Sequence, residues 1–159
     1  LTPTPKEGNV KIDSPKVVML TLAVTAALGG CAGYNQAMSG APALMAGQRL
    51  ALQGANEVPA VTTSGTATAV VLINSDRSVS GELTTSGFVP TAAHIHEGAA
   101  GANGPVIVPM VKDSENKFVF PAGAKLTDAQ YDAYKAGKLY INVHSAAHPG
   151  GELRAQINP

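Results

Sequence analysis

From residue 49 onward the apolar and polar positions alternate in short runs, and the alternation predicts strands. Residues 64–74, Ser-Gly-Thr-Ala-Thr-Ala-Val-Val-Leu-Ile-Asn, open with Thr/Ala alternation and close on an apolar run, as a half-buried strand does. Asn74-Ser75-Asp76-Arg77 is turn chemistry, and Val79–Ser86 returns as the hairpin partner. Before this hairpin, Leu50-Ala51-Leu52 leads into residues 54–59, expected as a strand running to a turn at Pro59. After it, residues 91–96, 106–111 and 117–120 read as further strands, separated by a Gly-rich loop at 98–105. Residues 139–144 and 151–157 close the set. One stretch has helical signals instead: Thr127 as N-cap, residues 128–136 as the helix, and Gly137 as its stop. Seven or eight short strands with Gly/Pro/Asn turns and one short helix predict an all-β fold, an antiparallel Greek-key β-sandwich or barrel.

Period two also assigns side chains to faces. In residues 91–96, Ala92, His94 and His96 share one face, and Ala93 and Ile95 take the other with Glu97. Farther on, Tyr140, Asn142 and His144 oppose Ile141 and Val143, and Glu152, Arg154 and Gln156 oppose Leu153, Ala155 and Ile157. If these strands are neighbours, one polar face gathers His94, His96, Asn142, His144, Glu152 and Arg154, and the other face is core. Alternate residues stand roughly 6.5–7 Å apart along a strand, and imidazoles at that spacing converge on one ion through bonds of about 2 Å. The competing reading is structural: His144 and Asn142 pin the 146–151 loop, and Glu152 and Arg154 form a polar pair on the strand surface.

The chain has 159 residues, with eleven basic and eleven acidic side chains and only 14% charged residues. This length suits one domain, and the even charge argues against a nucleic-acid partner. A single cysteine excludes an internal disulfide framework. That residue, Cys31, follows Leu28-Gly29-Gly30 at the end of an apolar run over 17–30 that is preceded by Lys11 and Lys16. The run is shorter than the ~20 residues of a spanning helix and has the length of a signal-peptide middle. Its end has the form of a bacterial lipobox. Residues 1–30 are therefore expected as leader and lipoprotein signal, and Cys31 as the lipidation site. Residues 31–48, rich in Gly, Ala and Pro, are expected as a flexible tether, with the folded domain at 49–159. Met38 and Met45 read as ordinary linker residues. The expected setting is the bacterial cell envelope, with the membrane as a partner through the lipid anchor and an envelope protein as a possible second partner.

All four histidines fall in the two segments around the polar face: His94 and His96, then His144 and His148. Three imidazoles without a thiolate suit copper or zinc, and copper stands higher in intrinsic affinity. His148, in Ala-Ala-His-Pro-Gly-Gly, is a further candidate ligand, and Met110 a softer and weaker one.

Several of these motifs together resemble the CHRD domain, named after its repeats in chordin. They are Leu-Gln-Gly-Ala-Asn-Glu-Val-Pro at 52–59, Ala-Ala-His-Ile-His-Glu-Gly at 92–98 and Gly-Ala-Asn-Gly-Pro-Val-Ile-Val-Pro-Met at 101–110. The helix start Leu-Thr-Asp-Ala-Gln follows at 126–130. The last is Leu-Tyr-Ile-Asn-Val-His-Ser-Ala-Ala-His-Pro-Gly-Gly-Glu-Leu-Arg-Ala-Gln-Ile at 139–157. The resemblance implies a secreted domain, and metal binding has been suggested for bacterial members. The His-X-His strand is similar to the copper strand of Cu,Zn superoxide dismutase, itself a β-sandwich. His148 departs from the family pattern, so the resemblance carries only His94, His96 and His144. Three functions are then in view: a lipid-anchored copper-binding module, a metal-free interaction or adhesion domain, and a dismutase-type enzyme. The last is the weakest, because a dinuclear copper–zinc site needs more histidines than four, and no residue is assigned a catalytic role.

Overall fold

The computed structural model describes residues 47–159. Cys31, the signal segment and nearly all of the expected tether lie outside the described residues. Among the described residues no helix is long and apolar enough to cross a membrane.

Nine strands form two antiparallel sheets. One contains β1 (Gln48–Leu52), β2 (Thr66–Ile73), β3 (Val79–Ser86), β7 (Lys117–Val119) and β6 (Val111–Ser114), in the order β1-β2-β3-β7-β6. The other contains β5 (Val106–Pro109), β4 (Pro90–Glu97), β8 (Leu139–Ser145) and β9 (Leu153–Ile157), in the order β5-β4-β8-β9. The connections from β3 to β4, from β5 to β6 and from β7 to β8 pass between the sheets, and the fold is an all-β sandwich of two antiparallel sheets. The alternation in the sequence builds the core directly. Ala67, Ala69 and Val71 of β2 and Leu83 of β3 face Ala93 and Ile95 of β4 and Ile141, Val143, Leu153 and Ala155 of β8 and β9. Phe118 and Phe120 close one side of this core.

The helix α1 (Asp128–Lys135) starts as the sequence predicts. The Thr127 hydroxyl accepts from the Gln130 backbone N–H, and the Gln130 side chain accepts from the Thr127 N–H. This reciprocal cap satisfies two orphan donors of the first turn. Ala133 anchors the helix to the core, with Tyr131 and Tyr134 packed beside it.

Two elements differ from expectation. Residues 54–59 are not a strand: Gly54–Asn56 is a 3-10 turn, and the carbonyl of Gly54 accepts from the N–H groups of both Glu57 and Val61. The chain turns there because Gln53 exchanges backbone hydrogen bonds with Arg154 (3.0 and 3.1 Å), which joins the β1 side to β9. Residues 53–65 then run as a strap. Residues 106–111 are not one strand either. The chain changes sheet at buried Met110, whose N–H donates to the Ala93 carbonyl, so β5 pairs with β4 and β6 pairs with β7. At the far end the Asn158 N–H donates to the Gln48 side chain, which holds the start and finish of the domain together.

Candidate metal centre

Strand pairing sets the site. In the β4–β8 register His94 opposes Asn142, His96 opposes Tyr140 and Ala92 opposes His144. In the β8–β9 register Asn142 opposes Arg154 and Tyr140 opposes Gln156. The polar residues expected to share a face do share one. The core residues Ala93, Ile95, Ile141 and Val143, all fully buried, alternate with them on the opposite side.

This polar face is not a solvated surface. Asn142 is 2% exposed, Glu152 4% and Arg154 1%. Glu152 and Arg154 are therefore not the surface pair that their spacing suggested. Two loops cover them, and they bond to the loops instead of to each other. Arg154 donates to the carbonyls of Ala99 (3.1 Å) and Ala102 (2.9 Å) and to Asn103 Oδ1 (3.3 Å), all in the 98–104 loop. Glu152 Oε1 accepts from the Thr63 hydroxyl of the strap at 2.7 Å. Asn103 Nδ2 ties loop to strap by donating to the Val58 carbonyl at 2.7 Å. Sequence spacing gives no view of such coverage, because the covering segments lie 50 to 100 positions away.

Under this cover, one ring nitrogen from each of His94, His96 and His144 lies within 4.8 Å of the other two. Bonds of 2.0–2.1 Å to one ion place adjacent nitrogens about 3.3 Å apart in a tetrahedral site and about 4.1 Å apart across a planar one. A small closure of the side chains brings the triad into that range. The ring nitrogens are already sorted. His96 Nδ1 is 2.9 Å from the Gly104 carbonyl and His144 Nδ1 is 2.9 Å from the Pro149 carbonyl. A carbonyl only accepts, so both Nδ1 atoms carry the proton and both Nε2 atoms present a lone pair. Histidines that ligate metals are typically held in this way by their second nitrogen. His96 Nε2 is buried and has no hydrogen-bond partner. An orphaned buried acceptor is costly, and a metal–nitrogen bond would satisfy it. On these observations the three residues form a group that could hold a metal ion.

The third member sits differently. His94 is half-buried, and its Nδ1 lies 3.2 Å from His144 Nε2, which is also 3.1 Å from Asn142 Oδ1. Burial pushes the His94 pKa down to about 4, with the neighbouring His144 and His96 adding to the effect. Burial also lowers the pKa of His144, against the Pro149 carbonyl, which stabilises its charged form, and together with His96, which disfavours it. His94 and His144 are thus neutral at pH 7, as ligands must be.

The loop backbone depends on two close approaches. A Cβ at Gly104, the residue whose carbonyl holds His96, would collide with the Glu97 carbonyl. A Cβ at Gly151 would lie 2.5–2.7 Å from the carboxyl atoms of Glu57. Glu57 is the residue that sequence reading missed. It enters from the strap, is 6% exposed, and its Oε1 has no partner. Burial pushes its pKa up to about 7, although Arg154 and Asn142 pull the other way. Nothing in the local sequence marks it, since its burial comes from the strap folding onto β9.

His148 does not join the triad. It is half-buried beside a cleft of about 270 Å³ that it lines with Glu57, Val58, Asn103 and Gly151, and its backbone N–H donates to the Ser145 hydroxyl. Met110 is a core residue rather than a ligand.

No curated protein and no solved structure matches the chain. The CHRD domain family model matches residues 49–157, from β1 to the last residue of β9 and including all the histidines. The chain belongs to the CHRD domain family.

Proposed function

We propose that this CHRD domain binds one transition-metal ion through His94, His96 and His144, and that the ion is copper, with zinc as the second choice. The observation that carries the reading is the pairing of carbonyl-held Nδ1 atoms with inward lone pairs on His96 and His144. The buried His96 Nε2 has no hydrogen-bond partner. Copper ranks above zinc in intrinsic affinity for a nitrogen site. His148 is left out of the ligand set. The domain acts in the bacterial cell envelope, lipid-anchored through Cys31, where it holds or hands on the ion.

The test is a copper titration of the untagged chain with metal analysis. One equivalent should bind, and His96→Ala should lower the affinity by more than the about 10–100-fold typical of losing an outer-shell partner, with the β circular dichroism unchanged. Equal affinity in the variant would remove the site.

A second reading has its own observation. His94 Nδ1 lies 3.2 Å from His144 Nε2 and can donate to its lone pair, so part of the triad is satisfied without an ion. On that reading the domain is a metal-free interaction module, and the titration gives no specific binding.

A further inference from the structure

Resting on the metal reading above, we infer that Asn142 Oδ1 is a fourth ligand to the ion, and that Glu57 is the positioning residue that keeps this oxygen turned towards it.

The strand register singles Asn142 out. It lies directly across from His94 in the β4–β8 pairing, two residues from His144 on the same face of β8, and diagonally across from His96. No other outward residue of β4 or β8 borders all three histidines. Tyr140, opposite His96, is already engaged. Its ring stacks on His96 with centroids 4.7 Å apart and planes within 8°, and the Arg154 Cζ lies 3.4 Å from its centroid. Its hydroxyl accepts from the Gly104 N–H. No carboxylate belongs to the triad's group of donors, so neither Glu57 nor Glu152 fills the fourth place.

The proton count at His144 then points to a cation. A neutral imidazole carries one N–H. Nδ1 of His144 faces the Pro149 carbonyl at 2.9 Å, and Nε2 faces Asn142 Oδ1 at 3.1 Å. Both partners only accept. With the proton on Nδ1, two buried lone pairs stand 3.1 Å apart with no hydrogen between them. A proton from His94 Nδ1, 3.2 Å from the same Nε2, serves the ring but leaves Oδ1 without a donor. Protonating both nitrogens of His144 would place a buried charge against the His94 and His96 rings, whose centroids are 5.0 and 6.3 Å away.

An amide ordinarily escapes such a conflict by turning its N–H groups to the histidine. Asn142 is held the other way. Its side chain hydrogen-bonds the Glu57 carboxyl and acts to lower that group's pKa, which only a donor does, so the amide N–H faces Glu57 and Oδ1 faces the triad. Glu57 is held in turn: it is 6% exposed and lies against Gly151, where a Cβ would stand 2.5–2.7 Å from its carboxyl atoms. A shared ion removes the conflict. Donors bonded to one ion stand about 3.3 Å apart in a tetrahedral site, close to the 3.1 and 3.2 Å found around His144 Nε2. Three imidazoles and one amide oxygen make a closed site, which suits holding an ion rather than presenting it to a substrate.

The experiment loads the full untagged chain, carrying Cys31→Ser so that no thiolate competes, with one equivalent of Cu(II). Asparagine is labelled with carbon-13 at the side-chain carbonyl, and the bound copper is read by electron–nuclear double resonance. A carbon-13 coupling should accompany the nitrogen couplings of the imidazoles and disappear in Asn142→Leu. That variant should also lose about 10–100-fold in Cu(II) affinity. In Glu57→Leu, which keeps the oxygen but removes its orienting partner, the coupling should weaken. Copper held by the histidines without a carbon-13 coupling in the unaltered chain overturns the fourth ligand and leaves the metal site standing; this reading needs no variant to fold. An undiminished coupling in Glu57→Leu overturns the positioning role. A chain that binds no copper removes the metal reading itself.

Discussion

The outer faces of the two sheets follow the same period-two rule and meet opposite fates. On the β1-β2-β3-β7-β6 sheet the outward residues are those that tolerate water. Thr66, Thr68, Ser80, Thr84 and Ser86 are exposed, and Glu82 pairs with Lys117 at 2.9 Å near the surface. On the β5-β4-β8-β9 sheet Tyr140, Asn142, His96, His144, Glu152 and Arg154 point outward and yet are buried, and His94 and Gln156 beside them are half-buried. Every residue of β8 is buried, on both faces. The strand alternation is the same; the difference is a strap and a loop laid over the second face. A polar face covered by protein must find partners inside the protein, and it is there that partnerless or charge-bearing groups collect.

Cutting one charged residue from each face should break this symmetry most sharply. Arg154→Ala removes three hydrogen bonds and the stack on Tyr140, and should cost about 3–5 kcal/mol of unfolding free energy in urea. A cost below 1 kcal/mol would mean that the covered face is not tied together by this side chain.

The next effect is in pH. Glu57 binds its proton more tightly folded than unfolded, so between about 7 and 4.5 acidification through this group favours the fold. His94 behaves oppositely: its folded value of about 4 lies below its ordinary 6.5, so stability from it is present above 6.5 and is lost as pH falls towards 4. Glu57→Gln should therefore stabilise the domain at pH 8 by about 1–2 kcal/mol and give little at pH 4. His94→Gln should flatten the loss on the acid side. Urea titrations at several pH values check both, and parallel curves for variant and parent would refute the assignment. The smallest effect belongs to the open face, where Glu82→Ala, which removes the surface pair with Lys117, should move stability by no more than about 0.5 kcal/mol.

The same contrast shows what can be read from sequence. The hairpin of β2 and β3, the β4 strand with His94 and His96 on one face, and the capped helix follow from neighbours in the chain, because alternation and capping are local; His144 joins that face only because β8 pairs with β4. The conversion of residues 54–59 into a strap depends on Gln53 pairing with Arg154, and the break at Met110 depends on a bond to Ala93. Both partners are distant, so local pattern is silent on them. The burial of Glu152 and Arg154 and the entry of Glu57 have the same cause. His148 stands in the right segment, but three residues past the end of β8 the chain has turned it towards the Glu57 cleft rather than the triad.

The hydrogen bond from Asn158 to Gln48 has a consequence for how such a unit can be used. It brings the two ends of the sandwich side by side, as does the pairing of Gln53 with Arg154 just inside them. A domain whose ends meet can be spliced into a surface loop of a host protein, or joined end to end and reopened elsewhere, without disturbing its sheets. The exposed tip at Asn74 and Ser75, between β2 and β3 and away from the strap, is the natural place to reopen it.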